Sequence, residues 1–222
     1  IKRGLEEMWA LKGGCLPCPT IMLRQVENSN WAAAWKSHYK VEHVGDRIVV
    51  VPSWVDYSPR EGEVVILLDP GEAFGTGQHE STRGALAAIE SHVVPGVRVL
   101  DIGCGSGILS IAAAKLGAAR VYGVDSDSVA VAVARSNVDE NKVSHVVSIG
   151  LGDLASGISE RYDVVVANIL AGVVARLASD VPRLLYPKGK FISSGFVAKQ
   201  EESVRRALGA VGHSGSDLFL IQ

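Results

Sequence analysis

Val97-Arg98-Val99-Leu100-Asp101-Ile102-Gly103-Cys104-Gly105-Ser106-Gly107-Ile108-Leu109 is a short apolar run, a turn with glycine at every second position, and the start of a helical pattern. Gly103, Gly105 and Gly107 lack side chains, so the backbone there can turn sharply and approach a bound molecule. From Ile108 to Leu116 the residues Ile108, Ile111, Ala112 and Leu116 share one helical face, and the pattern stops at Gly117. The segment reads as strand, ligand loop and helix, with the helix N-terminus directed at the loop.

The type of ligand can be narrowed from the same residues. A dinucleotide fingerprint needs a third glycine three positions after the second, and Ile108 stands there. A phosphate-binding P-loop ends in Gly-Lys-Ser/Thr, and this loop has no lysine. What remains is an acid, Asp101, directly before a G-x-G-x-G turn. An acid there suits a ligand carrying a cationic amine and would repel a polyphosphate.

Downstream, strand and helix patterns alternate. Strands are expected at Val97 to Ile102, Val121 to Val124, His145 to Ile149, Asp163 to Asn168 and Lys190 to Ser194, with helices at 107–116, 127–138, 171–186 and 198–209. Asp217 to Gln222 is a candidate for one more strand. Successive units of this length imply an α/β fold, a mostly parallel sheet with helices on both faces. Ligands in such sheets sit beyond the carboxyl ends of the strands, which makes the strand-end residues informative. Asp101 and the glycine loop end the first strand. Asp125 ends the second, twenty residues after Gly105, where an acid can accept from both hydroxyls of a ribose. Gly152-Asp153-Leu154 follows the third, with Asp153 placed to accept from an adenine amino group, and Asn168-Ile169-Leu170-Ala171 ends the fourth. Ser126-Asp127 has the look of a helix cap.

Upstream, residues 1–12 form a helical pattern closed by Gly13-Gly14, Ile21 to Val26 a possible strand, and Trp31 to Tyr39 a short helix. Arg47 to Val51 and Val64 to Leu68 read as a strand pair with a wide loop. Between that pair and a helix marked by Leu86, Ile89 and Val93 lies Asp69-Pro70-Gly71-Glu72-Ala73-Phe74-Gly75-Thr76-Gly77-Gln78-His79-Glu80-Ser81-Thr82. Its glycines, threonines and histidine exceed what a connector needs, which makes it a candidate binding loop. His79 is expected to shape that loop as a structural hydrogen-bonding residue.

Composition bounds the alternatives. The 222 residues are 47% hydrophobic and 21% charged, enough for one sizeable domain and an appendage. The formal charge is −2, with 7 basic and 6 acidic residues over positions 1–58 and 15 and 18 over the rest. That balance offers no broad field for nucleic acid or membranes. No apolar run has transmembrane length, and Glu6 and Glu7 interrupt any signal-peptide core, so a cytoplasmic protein is expected; a monomer is expected as well. The first residue is Ile rather than Met, as in a segment of a longer protein. Cys15-Leu16-Pro17-Cys18 has no second cysteine pair and lies in a Gly- and Pro-rich connection, so it reads as two unlinked thiols, with no metal site.

Taken together, Asn30-Trp31 through Trp35-Lys36, Tyr39-Lys40, Pro52-Ser53-Trp54, Asp69-Pro70-Gly71, Phe74-Gly75-Thr76-Gly77-Gln78-His79, the Asp101 to Gly107 loop, Gly123-Val124-Asp125 and Ala167-Asn168-Ile169-Leu170-Ala171 strongly resemble the ribosomal protein L-eleven methyltransferase family. The resemblance spans roughly residues 28–200. It implies a Rossmann-like class I methyltransferase fold with S-adenosylmethionine as cofactor. The implied activity is protein N-methylation, at lysine side chains and the N-terminal amine of the large-subunit ribosomal protein L-eleven. It also implies three parts: residues 1–27 as the remnant of a ferredoxin-like substrate-recognition domain, 28–60 as a linker, and 61–222 as the methyltransferase domain. Phe74, Thr76, Gly77, Asp101, Gly103, Gly105, Gly107, Asp125, Asp153 and Asn168 are then the expected cofactor-binding residues, and Asn168 the expected catalytic one. Ser81, where a threonine is more usual, and a final strand missing after Gln222 depart from the family pattern.

The reaction so implied is an in-line attack by a neutral amine, in which positioning and desolvation dominate. Asn168 has both a side-chain acceptor and a donor with which to hold an amine and aim its lone pair. No residue stands out as a dedicated base. A nucleic-acid adenine methyltransferase would need an aromatic residue for stacking a flipped base, where this chain has Leu170 and Ala171.

Overall fold

The computed structural model describes residues 39–69, 75, 77–210 and 218–221. The expected elements at 1–12, 21–26 and 31–39, the Cys15 and Cys18 pair, and Phe74 and Thr76 lie outside these residues. Among the described residues the strands are β1 (Glu42–Val44), β2 (Ile48–Pro52), β3 (Val64–Leu68), β4 (Arg98–Ile102), β5 (Arg120–Asp125), β6 (Val147–Leu151), β7 (Tyr162–Asn168), β8 (Leu185–Ser194) and β9 (Leu218–Leu220). The helices are α1 (Glu80–His92), α2 (Ile108–Lys115), α3 (Ser128–Glu140), α4 (Ala171–Leu177), α5 (Val181–Leu184) and α6 (Ala198–Gly209).

Six strands form one all-parallel sheet in the order β6-β5-β4-β7-β8-β9. The chain winds outward from β4 to β6, then returns to β7 on the other side of β4. That reversal opens a crevice at the carboxyl ends of β4 and β7, the place where such sheets bind ligands. Apolar side chains alternate between the two faces. Val99, Val121, Val164, Val166 and Ile192 pack with α1, α2 and α3 on one side. Leu100, Ile102, Val165, Ala167 and Phe191 pack with α4, α5 and α6 on the other.

A three-stranded sheet, β1-β2-β3, packs on the outer side of α1, α2 and α3, with Val50, Ile66 and Leu68 in the same core as Ile108 and Ile111. The extra layer explains one departure from the sequence reading. Instead of a single apolar face, α2 buries Ile108, Leu109, Ser110, Ile111, Ala112 and Ala113, because it is covered by both sheets. The small sheet takes β1 and β2 from the stretch read as linker and β3 from the stretch read as methyltransferase domain. β2 pairs with β3 in parallel, and the far edge of β3 is met by a side chain: Asn141 Oδ1 accepts from the Leu67 amide at 2.9 Å, and its Nδ2 donates to the Leu67 carbonyl at 2.6 Å.

The single helical pattern expected over 171–186 is two helices, α4 and α5, and β8 begins at Leu185. Pro182 is the reason. It has no amide hydrogen, and in a continuous helix its ring would meet the carbonyl of Ala178. Leu185 then pairs with Tyr162 ahead of a register irregularity, with regular pairing from Val164 opposite Lys190. No described helix is long and apolar enough to cross a membrane.

Phe191 is fully buried beneath α4, α5 and α6. Phe191→Ala is expected to lower the unfolding free energy by about 3–5 kcal/mol through lost transfer energy and a residual cavity, read from the urea midpoint at constant m-value.

Candidate active site

The glycine turn folds back over the end of β5. The amides of Gly103 and Cys104 both donate to the Val124 carbonyl, at 2.8 and 3.1 Å, and the Gly107 amide donates to the Cys104 carbonyl at 2.8 Å. The three glycines have φ of +73°, +51° and +80°, a region costly for other residues. A Cβ on Gly103 would stand 2.4 Å from Ile169 Cγ2, so the turn also needs its glycine for clearance. Beside the turn opens a cleft of about 590 Å³. It is lined by Gly75, His79 and Ser81, by Gly103, Gly105, Asp125 and Asp153, and by Asn168, Leu170, Arg176 and Gly195.

Asp125 sits where the sequence spacing put it. Its Oδ2 accepts from the Gly105 amide at 2.9 Å and its Oδ1 from the Asp127 amide at 3.0 Å, tying loop to strand end. Each oxygen keeps acceptor capacity toward the cleft. Asp127 caps α3 by accepting from the Val129 amide at 2.8 Å. Asp153 also lines the cleft, 3.8 Å from the Arg176 guanidinium, with both side chains largely exposed.

Asp101 does not reach the cleft wall. It is fully buried under the loop, where its Oδ2 accepts from Ser110 Oγ at 2.7 Å. Burial pushes its carboxyl up to about 7, the two hydrogen bonds from Ser110 pull in the other direction, and the charge of Asp125 adds to the rise. Cys104 is buried as well, and the same desolvation raises its thiol far above the ordinary range, which leaves it unreactive. Gly107 begins α2 rather than lining the cleft, and Gly77 packs where a Cβ would lie 3.1 Å from Val50 and 3.3 Å from Ile108.

Asn168, at the end of β7, is 9% exposed. Its Nδ2 donates to Thr82 Oγ1 at 3.2 Å on α1, which fixes the amide so that Oδ1 is the free end. That Oδ1 has no protein partner, and neither has Oδ1 of Asp101. Buried acceptors without donors are uncommon, and a ligand in the cleft that brings N–H groups fits Asn168, which lines it. Gly195, at φ +93°, lies against Asn168, where a Cβ would come 3.0 Å from Oδ1 and 2.8 Å from the Ile169 backbone. His79 caps α1, with Nδ1 accepting from the Ser81 amide at 3.3 Å and lying 2.8 Å from Ser81 Oγ.

One contributor at the Asn168 end of the cleft, Gly195, was absent from the sequence reading. Gly195 follows the fifth strand, so the strand-end argument applied to Ser193-Ser194 would have reached it. Thr82 closes the stretch read as a candidate binding loop, whereas its bond to Asn168 follows from the packing of α1 beside the end of β7.

The chain matches a family model described as Ribosomal protein L11 methyltransferase (PrmA) over residues 7–216. It is 45% identical over 213 residues to a Ribosomal protein L11 methyltransferase of Geobacillus thermodenitrificans, covering 96% of this chain and 68% of that one. Against the protein of the same description from Caldanaerobacter subterraneus subsp. tengcongensis, identity is 47% over 202 residues, covering 90% of this chain and 65% of the relative. This chain therefore spans about two thirds of the length of these relatives. Among solved structures, a ribosomal protein L11 methylase from Lactobacillus delbrueckii subsp. bulgaricus superposes with a TM-score of 0.74 at 32% identity, over 80% of this chain and 94% of that one. With its parallel Rossmann-like sheet, glycine turn and strand-end acids, the chain belongs to the ribosomal protein L11 methyltransferase family of S-adenosylmethionine-dependent methyltransferases.

Proposed function

We propose that this chain transfers methyl groups from S-adenosylmethionine to lysine side-chain and N-terminal amines of ribosomal protein L11, in the cytoplasm. The observation that carries the reading is the Asn168 amide, with its donor end held by Thr82 and its Oδ1 buried beside the cleft without a partner. An acceptor oriented in this way suits an incoming amine, which has N–H bonds to give and a lone pair to aim. The names of the relatives support the choice of acceptor protein.

S-adenosylmethionine supplies a methyl group already attached to a sulfonium leaving group. The residues of the chain bind and orient. Asp125 accepts from the ribose hydroxyls with the capacity its two backbone donors leave open, and Asp153 accepts from the adenine amino group. The backbone of Gly103 and Gly105 gives close approach, and Gly107 directs the α2 N-terminus toward the loop. Phe74, Thr76 and Gly77 are assigned to the cofactor by the family resemblance of the Phe74 to His79 motif. Asp101 acts from beneath the loop as a carboxylate that the cationic cofactor favours. Asn168 Oδ1 holds the acceptor amine. A lysine with a reference pKa of ~10.4 loses its proton before attack, whereas an α-amine near ~8 is partly neutral already. With His79 Nδ1 committed to capping α1, desolvation in the cleft serves in place of a dedicated base.

Three outcomes follow from these roles. Asp125→Ala is expected to weaken calorimetric cofactor affinity by about 1.5–3 kcal/mol, the range for hydrogen bonds to a charged group; unchanged affinity removes Asp125 from the site. Asn168→Ala is expected to lower turnover on purified ribosomal protein L11, followed by transfer of labelled methyl, far more than it lowers cofactor affinity; wild-type turnover would sink the assignment. The third outcome concerns pH. In the free cleft Asp101 keeps its proton up to about pH 7, and a bound cation favours the ionised form. Binding below that pH then releases a proton, so affinity falls as pH falls and levels off above it. Between about pH 5.5 and about pH 7.5, Asp101→Asn should flatten this dependence, and equal slopes in variant and wild type would exclude the role.

A further inference from the structure

We propose that Asn137, a residue of α3 outside the cleft, is a positioning residue for the cofactor loop: its side-chain amide joins the loop to the end of β3, and Ser106 carries that connection to the cleft wall. The inference rests on the reading of the cleft as the cofactor site.

The geometry begins with a match of spacings. Asn137 of α3 and Asn141, the residue that caps the C-terminus of α3, stand one turn apart and dock on Asp69 and Leu67, two residues apart along the chain at the edge of β3. Four helical residues advance about 6 Å and two strand residues about 6.6 Å, so both amides can meet backbone groups at once. Asn141 uses its side chain on Leu67 and on the carbonyl of Asn137 itself, all within the scaffold. Asn137 is 3% exposed, and its Oδ1 accepts from the Asp69 amide at 3.1 Å. Its Nδ2 donates to the Asp69 carbonyl at 3.0 Å and to the Ser106 carbonyl at 2.9 Å. Both of its N–H groups are thus committed, one of them to the glycine loop.

From Ser106 the connection continues. Ser106 is fully buried, and its Oγ donates to the Gly75 carbonyl at 2.6 Å. Gly75 lines the cleft at φ +99°, and a Cβ there would come 2.8 Å from the same Oγ, so the two segments touch with no slack. Ser106 also follows Gly105, whose amide is bonded to Asp125. One buried amide therefore sets the loop relative to β3, and the loop in turn sets Gly75. Removing it takes away the Asn137 donor to the Ser106 carbonyl and the two Asn137 bonds to the Asp69 backbone, without touching any atom of the cleft.

The experiment titrates S-adenosylmethionine into the full chain by calorimetry, with thermal unfolding measured in parallel, for Asn137→Ala, Ser106→Ala, Asn141→Ala and Asp125→Ala. Asn137→Ala and Ser106→Ala are expected to raise Kd by about tenfold, the scale of one lost buried hydrogen bond. In turnover assays the change should lie in KM for the cofactor, with kcat at saturation unchanged. Asn141→Ala should lower Tm to a similar extent as Asn137→Ala while Kd stays within about twofold of wild type. Equal rises in Kd for Asn137→Ala and Asn141→Ala would overturn the inference, as would an unchanged Kd for Asn137→Ala while Asp125→Ala weakens binding. If Asn137→Ala does not fold, Ser106→Ala decides: wild-type Kd overturns the inference. An unchanged Kd for Asp125→Ala would instead overturn the reading of the cleft.

Discussion

Two amides converge on a single carbonyl. Gly103 and Cys104 both donate to Val124, and this can happen only if the chain leaving β4 turns back at once through a positive φ. Everything at the cleft depends on that turn. It brings Gly105 under the Asp125 carboxylate, starts α2 at Gly107 and leaves Ile169 room to lie against Gly103. Side chains at these glycines would remove the turn sterically before any ligand chemistry came into play.

The cleft is held from several directions by elements distant in sequence. β5 contributes Asp125, β7 contributes Asn168, α1 contributes Thr82, and the turn after β8 contributes Gly195. Rigid strands supply the two cleft side chains, Asp125 and Asn168, and their partners lie on other elements, which limits the orientations each can adopt. The Asn168 amide shows the effect: its nitrogen is occupied by Thr82, so the oxygen must face the other way.

Much of this architecture was legible in the sequence, for a physical reason. Strands buried on both faces are apolar runs, and β4 and β7 announce themselves in that way; the glycine spacing and the acid at position 125 then mark the rim where the cleft opens. What was hidden depends on tertiary contact. The burial of α2 on nearly every side requires the second sheet, which only three-dimensional packing brings over it. The break before α5 was in principle readable from Pro182 but was masked by the regular apolar spacing on either side of it. Asp101 was recognisable as an acid beside the loop, whereas its place beneath the loop follows from the direction its side chain takes from β4. The asparagines of α3 look in sequence like the polar face of a surface helix, and their burial becomes intelligible only when the edge of β3 is beside them.

That edge has a consequence for the protein's behaviour in a crowded solution. Val64-Val65-Ile66-Leu67-Leu68 is the kind of apolar strand on which foreign chains can template themselves when its backbone is open. Here Leu67 gives both its amide and its carbonyl to Asn141, and Asp69 gives the same two groups to Asn137. At the other end of the small sheet, β1 is only three residues long and begins Glu42-His43. A pair of side-chain amides thus does the work of a further strand, closing the β3 side of the sheet to strand addition and to the fibrous assembly it can seed.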